Sequence, residues 1–324
     1  MLSPILALKS NIIQAFENPN GSAVEFLRAA VAEGLLSHEL DLMVDFSPPR
    51  GPSIVRRQQQ PASIVVRVSH LELLWAFTYG WMVLYEEAVQ RPMIEGNFDG
   101  RILLVTDLTR RAAALLEWAS GLRHAYIPWP AGLPSPTHAD SEQERSYALK
   151  VNGIFQSATT FLLYHEFGHA RLGHLDAVDP YDDTIDTLVT AVQLEREADD
   201  FAYHALMSHD DSEAIRRMKG WAVLVPALSS LYLVDGRAGL YQRRHPHLHH
   251  RIADLLAKLN FQNEQNNFYY RYLCSTVLLT FDRAFQANQD ASLTSRVFET
   301  VDEAFDAEID DLDAFLSAQH SSSG

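Results

Sequence analysis

The stretch from Ser141 to Gly173 limits the folds open to this chain more than any other part of the sequence. Ser141 and Glu144 have capping-box spacing, which predicts a helix that starts here. Apolar residues and two histidines then recur at helical intervals on one face: Tyr147, Val151, Ile154, Ala158, Phe161, His165, His169 and Leu172. Gly173 supplies a stop signal. The pattern predicts one long helix whose buried stripe ends in two imidazoles.

A second helical stripe starts near Asp183 and ends at Leu206. Its members recur at about 100° per residue: Ile185, Leu188, Val192, Glu195, Asp199, Ala202 and Leu206. Two carboxylates on an apolar stripe are costly to bury unless they bind a metal or pair with a cationic side chain. The pattern therefore predicts a second buried helix with a partner for each carboxylate.

His165-Glu-Phe-Gly-His169 is an H-E-x-x-H sequence. On a helix, imidazoles at this spacing lie one turn apart and can bind Zn²⁺ together, and Glu166 can reach a metal-activated water. The motif is short, so its context matters. Both histidines continue a buried stripe, where unpaired imidazoles would be costly. We therefore predict one zinc ion per chain, bound by His165 and His169.

The carboxylates of the second stripe complete this prediction. Glu195 is predicted as the third metal ligand, and Asp199 as the acceptor for the free N–H of a ligand histidine. The alternative is that both carboxylates pair with arginines in the core. Glu197 lies off the stripe and is predicted to be solvated.

A metzincin site would need a glycine and a histidine at the positions of Leu172 and Leu175. Gly173 and His174 each miss those positions by one residue. His174 is therefore predicted to be a helix-terminal residue and not a ligand.

Together, His165-Glu-Phe-Gly-His169 and Glu195-Arg-Glu-Ala-Asp199 resemble a gluzincin metallopeptidase with an E-x-x-x-D third-ligand motif. The segment His245-Pro-His-Leu-His-His-Arg251-Ile252 is similar to the one that follows the active site in CAAX prenyl proteases and heat-shock membrane proteases. Lit-type phage-exclusion peptidases resemble the pattern too. The resemblance implies a zincin-like core over about residues 141–256 and allows a role in phage defence.

The same resemblance places His245 near the active site, as a candidate stabiliser of the oxyanion. Tyr164 and Tyr241 are alternatives for that role, although each is better interpreted as a packing residue. The four histidines between His245 and His250 could form a second metal site. A loop that leads into a helix from Arg251 to Leu259 is the favoured interpretation.

These residues predict a zinc-dependent endopeptidase that acts on a protein or peptide substrate. Glu166 would take a proton from water as general base and later give it to the leaving amine. The alternative is a zinc-stabilised regulatory or binding protein without turnover. Glu166 favours catalysis, because a structural zinc site has no use for a base and is more often closed by four ligands.

The amino-acid composition limits the kinds of molecule that this chain can be expected to bind. The net charge of −16 argues against non-specific binding to nucleic acid. From Asp282 to the end, ten acids face two bases, which marks an acidic C-terminal arm. A solvated helix face is favoured there over a partner-binding tail. Cys274 is the only cysteine, so it can form no intramolecular disulfide, and its apolar neighbours predict a core position.

The apolar stretches Leu71–Tyr85 and Trp221–Val234 are shorter than the roughly 20 residues that span a bilayer, so both are predicted to be buried helices and no membrane span is expected. The first residues lack the features of a secretory signal. The sequence thus predicts a cytoplasmic protein.

The predicted fold class is mainly α, with a zincin-like (gluzincin) catalytic core and a small β component in the N-terminal half. The first 45 residues are predicted to be helical, and Ser63–Val68 and Ile102–Thr106 are predicted strands. Prolines between 128 and 136 suggest a boundary. We predict an N-terminal region over residues 1–140, the catalytic core over 141–260 and a C-terminal helical region over 261–324.

Overall fold

The computed structural model describes residues 3–18, 23–57, 60–179, 181–208, 210–286 and 298–322. It is mainly helical with a small three-stranded sheet, as predicted. The α-helices are α1 (Lys9–Glu17), α2 (Ala23–Ala32), α3 (Val68–Tyr85), α4 (Arg91–Ile94), α5 (Asp107–Gly121), α6 (Glu142–Arg171), α7 (Ile185–Leu206), α8 (Glu213–Ser230), α9 (Leu248–Leu259), α10 (Glu264–Gln286) and α11 (Val301–Ser322). The strands are β1 (Asp41–Met43), β2 (Ser53–Val55) and β3 (Ser63–Arg67).

Helix α3 lies at the centre of the fold. All its residues are buried, as expected for a helix that is apolar on every side. It packs against α5, α6 and α8. Gly80 permits the close approach of α5, because a Cβ there would lie 2.3 Å from Cγ of Leu116. The N-terminal half of the chain therefore supplies the helix around which the later helices pack.

One contiguous hydrophobic core contains residues from all three predicted regions, for example Trp75, Phe161 and Leu273. Cys274 is buried, so its predicted core position is confirmed. The apolar stretches after Leu71 and Trp221 form buried parts of α3 and α8, also as predicted. Within the described ranges, no helix is both long enough and apolar enough to cross a bilayer.

The strand predictions are partly wrong. Strand β3 matches its prediction, but residues 102–105 form a loop in which Leu103, Leu104 and Val105 are exposed. Strand β1, which pairs in parallel with β3, lies in the region predicted to be helical, and β2, which pairs antiparallel, was also missed. Short strands are specified by their partners more than by local propensity, which explains both errors.

Helices α6 and α7 form where the periodicity places them. The peptide N–H of Glu144 donates to Oγ of Ser141, the predicted cap, at 3.1 Å. The stripe of α7 is only partly buried: Ile185 is exposed and burial begins at Ala191. Of the acidic arm, residues 287–297 lie outside the described part, and α11 packs against α10. Its buried side chains are Phe305, Glu308, Leu312 and Leu316.

Candidate metal centre and active site

Helices α6 and α7 pack closely at the H-E-x-x-H motif. The approach depends on Gly168, because a Cβ there would lie 3.2 Å from Phe201 and 3.4 Å from Cα of Ala198. Phe167, the other variable position of the motif, is fully buried. Phe167 therefore fills the core, and Gly168 lets α7 approach.

His165, His169 and Glu195 bring their donor atoms to within 4.8 Å of one another. Nε2 of His165 lies 3.3 Å from Nε2 of His169 and 3.2 Å from Oε2 of Glu195. Nε2 of His169 lies 3.4 Å from Oε1 of Glu195. The structure thus brings together the three side chains that the sequence predicts as metal ligands, which we call the catalytic cluster after the role predicted for them.

The spacing of the catalytic cluster fits a small tetrahedral cation. Metal–ligand bonds of about 2.0–2.1 Å at tetrahedral angles place the ligand atoms ~3.3 Å apart. Oε2 of Glu195 is buried, and among the described residues its close neighbours, Nε2 of His165 and Nδ1 of His245, make no hydrogen bond of good geometry with it, so a cation would satisfy it. Two imidazoles and a carboxylate are also a common donor set of catalytic zinc sites, which keep a fourth position open. The residues present therefore fit a zinc ion.

Asp199 and Arg251 hold the imidazole of His165. Nδ1 of His165 lies 2.9 Å from Oδ1 of Asp199, and Arg251 donates to both Asp199 oxygens, at 2.8 and 2.6 Å. Burial would raise the pKa of Asp199, but Arg251 and His165 outweigh it and hold that pKa well below its usual range. Once His165 is neutral, donation of its Nδ1 proton to this carboxylate leaves the lone pair of Nε2 for a cation. Asp199 thus has both the histidine and the arginine partner that the sequence offered as alternatives.

His174 holds the other ligand imidazole. Its Nδ1 lies 3.2 Å from Nδ1 of His169, and its Nε2 lies 3.2 Å from Oε2 of Glu197. Gly173, with φ of 77°, ends α6 and turns the chain so that His174 returns to the last turn. His174 follows the end of α6 and Glu197 is partly exposed, as predicted, but their contacts with each other and with His169 were not predicted. Helical periodicity could not find them, because the contact forms across a chain reversal.

Glu166 lies beside strand β2. The backbone of Ile54 acts on its carboxylate and lowers its pKa, and α6 contacts β2. Burial raises the pKa of Glu166 to about 7, with a further contribution from Glu195 and opposition from His165. A carboxyl group that titrates near neutral pH can both accept and return a proton. Strand β2, which was not predicted from the sequence, thus acts on the pKa of the candidate base through Ile54.

Burial acts to lower the pKa of both candidate ligand histidines, His165 and His169. It prevails at His169, where the pKa falls to about 4. At His165 the contacts with Asp199 and Glu195 outweigh burial and raise the pKa to about 9. A cation that binds the catalytic cluster at neutral pH would therefore displace a proton from His165 but not from His169.

His245 reaches the catalytic cluster from the loop before α9. Its Nδ1 lies 2.8 Å from Oε2 of Glu195, and half of its side chain is exposed. Burial would raise the pKa of Glu195, but His165 and His245 outweigh it and hold that pKa well below its usual range. Arg244 fastens this loop, because it donates to the backbone carbonyl of Asp179.

The two tyrosines differ in position. Tyr164 is fully buried, and its hydroxyl donates to the carbonyl of Phe16 at 3.1 Å. Tyr241 is partly exposed, and its ring centroid lies 4.8 Å from that of His247. Tyr164 is thus a packing residue whose hydroxyl already has a backbone partner.

A sequence model of the Peptidase U49 family matches residues 64–273. The match covers roughly two thirds of the sequence and includes His165, His169, Glu195 and His245. This chain belongs to the Peptidase U49 family. The predicted peptidase assignment is thereby supported at the level of the family. No curated protein and no solved structure matches the chain.

The Lit-type peptidases that the motifs resemble are members of the U49 family. That part of the resemblance is confirmed. The similarity to CAAX prenyl proteases and the gluzincin assignment remain predictions.

Proposed function

We propose that this U49 family member is a zinc-dependent endopeptidase that hydrolyses peptide bonds of a protein substrate. One observation carries the proposal: the donor atoms of His165, His169 and Glu195 stand 3.2–3.4 Å apart, and Glu166 directly follows His165 in the chain. These three side chains would hold one ion, and Asp199 would orient His165. When bound, zinc would polarise the scissile carbonyl as a Lewis acid and make a water molecule more acidic.

Glu166 is the proposed general base. It would take a proton from the attacking water and later give it to the leaving amine. Its pKa of about 7 supports this role, because the carboxylate and the acid are then both populated at neutral pH. The contact with Ile54 places it beside the sheet and supports a base of defined orientation.

His245 is the proposed stabiliser of the oxyanion. Its ring lies against Glu195, and half of its side chain is open to solvent, where a substrate would approach. An imidazole N–H in this position could donate to the oxygen that gains negative charge in the transition state.

Strand β2 is the proposed docking edge for the substrate. The sheet order is β1-β3-β2, so in the described residues β2 pairs only with β3. Helix α6 contacts β2 directly. An extended peptide that adds to an open strand edge gains main-chain hydrogen bonds. A strand edge beside Glu166 thus favours a polypeptide substrate.

The test is the zinc content of the purified protein, measured by mass spectrometry, together with a proteome-wide cleavage assay on the same samples. We expect one zinc at the catalytic cluster, and we expect Glu195→Ala to lose both that zinc and cleavage. Glu117→Ala is a matched control, because Glu117 is exposed on α5. A zinc content in Glu195→Ala equal to that of the wild type would remove Glu195 from the proposed ligands.

A zinc-stabilised regulatory protein is the outcome that the same assay can separate from a peptidase. In that case Glu195→Ala would lose zinc and thermal stability, while neither it nor the wild type would cleave any protein. A role in phage defence and a cytoplasmic location stay predictions of the sequence and of its resemblance to known families.

A further inference from the structure

A second group of two histidines and a carboxylate shares no residue with the catalytic cluster. His249 and His250 lie at the start of α9, and Asp313 lies on α11. Nε2 of His249 is 2.8 Å from Oδ1 of Asp313, and Nε2 of His250 is 2.9 Å from Oδ2. The two ring centroids are 4.3 Å apart. Two imidazoles of α9 thus meet one carboxylate of α11.

The cluster is buried on one side and open on the other. The His249 side chain has no exposed surface, whereas those of His250 and Asp313 are 37% and 41% exposed. An ion could therefore enter from solvent and keep water as a further ligand. The buried imidazole would supply one fixed ligand, and the other two side chains could close around the ion.

The arrangement differs from an ordinary surface pair of histidine and aspartate. His138 and Asp140 form such a pair, with a single imidazole 3.0 Å from an exposed carboxylate. In the second cluster two adjacent imidazoles face one carboxylate. In addition, Nδ1 of His249 is buried without a hydrogen-bond partner in the described part of the chain. Without a cation, the carboxylate of Asp313 favours a proton on Nε2, and a bound cation would take the Nε2 lone pair and leave the proton on Nδ1.

We propose that His249, His250 and Asp313 form a second metal site, which binds zinc or a similar divalent transition metal. Imidazole nitrogens suit zinc, copper and nickel ions, and a carboxylate oxygen is compatible with zinc. We call these residues the C-terminal cluster. The proposal does not depend on the catalytic cluster and would stand if that cluster bound no metal.

An ion in the C-terminal cluster would fasten α11 to α9. Helix α9 also carries Arg251, whose Nε and Nη2 donate to the two carboxylate oxygens of Asp199. The second site would therefore brace the helix that supports His165. It would also give the acidic C-terminal helix a defined role as the carrier of a metal ligand.

The experiment uses the full chain with Glu195→Ala, so that zinc at the catalytic cluster does not interfere. Zinc binding is measured by titration calorimetry, and thermal stability is measured with and without zinc. We expect about one equivalent of zinc and a rise in Tm. Adding His250→Ala or Asp313→Asn should abolish both. Both residues are partly exposed, so these variants are suited to fold, whereas replacement of buried His249 is avoided.

His138→Ala in the same background is the matched control and should keep the equivalent of zinc. The proposal is overturned if the Glu195→Ala protein binds no zinc, or if binding survives in both His250→Ala and Asp313→Asn. Failure of the proposed peptidase function would look different: zinc would bind the wild type and Glu195→Ala with the same stoichiometry, or the wild type would cleave no protein, and neither result concerns the C-terminal cluster.

Discussion

The catalytic cluster and the C-terminal cluster contain the same kinds of side chain but are supported differently. In the catalytic cluster, Nδ1 of each imidazole has a partner, Asp199 for His165 and His174 for His169. In the C-terminal cluster, Nδ1 of His249 has no hydrogen-bond partner within the described residues. Outer partners fix the tautomer and the ring orientation of a ligand.

This difference predicts which of the two clusters binds zinc more tightly and which one takes part in hydrolysis. The catalytic cluster is prepared for a cation, since its two Nε2 atoms already stand 3.3 Å apart. In the C-terminal cluster each Nε2 faces a different oxygen of Asp313, so ion binding would have to rearrange these contacts. Only the catalytic cluster has a carboxyl group with a pKa near 7 beside it, that of Glu166. We therefore expect tight binding and turnover at the first site and weaker, structural binding at the second.

The largest effect is expected from Glu166→Gln. Cleavage should fall by about 10²–10⁴-fold, because the amide cannot accept the proton from water, while zinc content stays the same. Initial cleavage rates and metal analysis of the same preparation measure this. Glu117→Ala, on the exposed face of α5, is the comparison variant and should leave the cleavage rate unchanged. Full turnover by Glu166→Gln would rule out the proposed base.

Asp199→Asn tests the support of His165. Loss of this charge should weaken zinc binding about 10–100-fold. It should also lower the free energy of unfolding by about 3–5 kcal/mol, because Arg251 is left buried without a counterion. Competition with a zinc chelator and urea unfolding measure the two effects. Asp140→Asn is the control: Asp140 is half exposed, and Arg111 keeps its contact with Glu144. Zinc affinity equal to that of the control would contradict the support role.

His174→Leu tests the support of His169. We expect zinc binding to weaken by about tenfold, less than for Asp199→Asn, because the partner Glu197 is 45% exposed and its charge is screened by water. His174→Asn should restore part of the affinity, since its side-chain oxygen can accept from Nδ1 of His169. Equal affinity in His174→Leu and the wild type would show that His174 only fills space.

The smallest effect concerns the stability of α11, which carries Asp313. Burial raises the pKa of Glu308 from 4.5 to about 9, although the hydroxyl of Ser275 donates to its carboxyl group. The folded protein then holds a proton that the unfolded chain releases, so this stabilising contribution is complete below pH 4.5 and is lost as pH rises toward 9. We expect a loss of about 1 kcal/mol per pH unit in urea unfolding near neutral pH. A Glu308→Gln protein with the same pH slope would disprove this origin.

Much of the site could be predicted because its ligands follow helical periodicity. His165 and His169 share a face of α6, and Glu195 and Asp199 share a face of α7, so each pair is readable from spacing within one helix. The contacts of His174 with His169 and of Arg251 with Asp199 join different parts of the chain. No local pattern contains them.

The fold shows the same division. The long helices were predictable, since an apolar stripe or an all-apolar segment must be buried. The exposed loop over residues 102–105 has a strand-like composition but pairs with no strand in the described part of the chain. Strands β1 and β2 are short and unremarkable in sequence, and they become strands because they pair with β3.

The amino-acid sequence was sufficient to assign the two long helices, the three candidate ligands and the candidate base, because the chemistry of each is encoded within a few turns. Only the tertiary structure decided which nitrogen of His165 and of His169 faces Glu195. It also decided which strand borders Glu166 and which residues of α9 and α11 meet. Those features depend on distances between segments far apart in the chain, and such distances are set by the packing of the whole core.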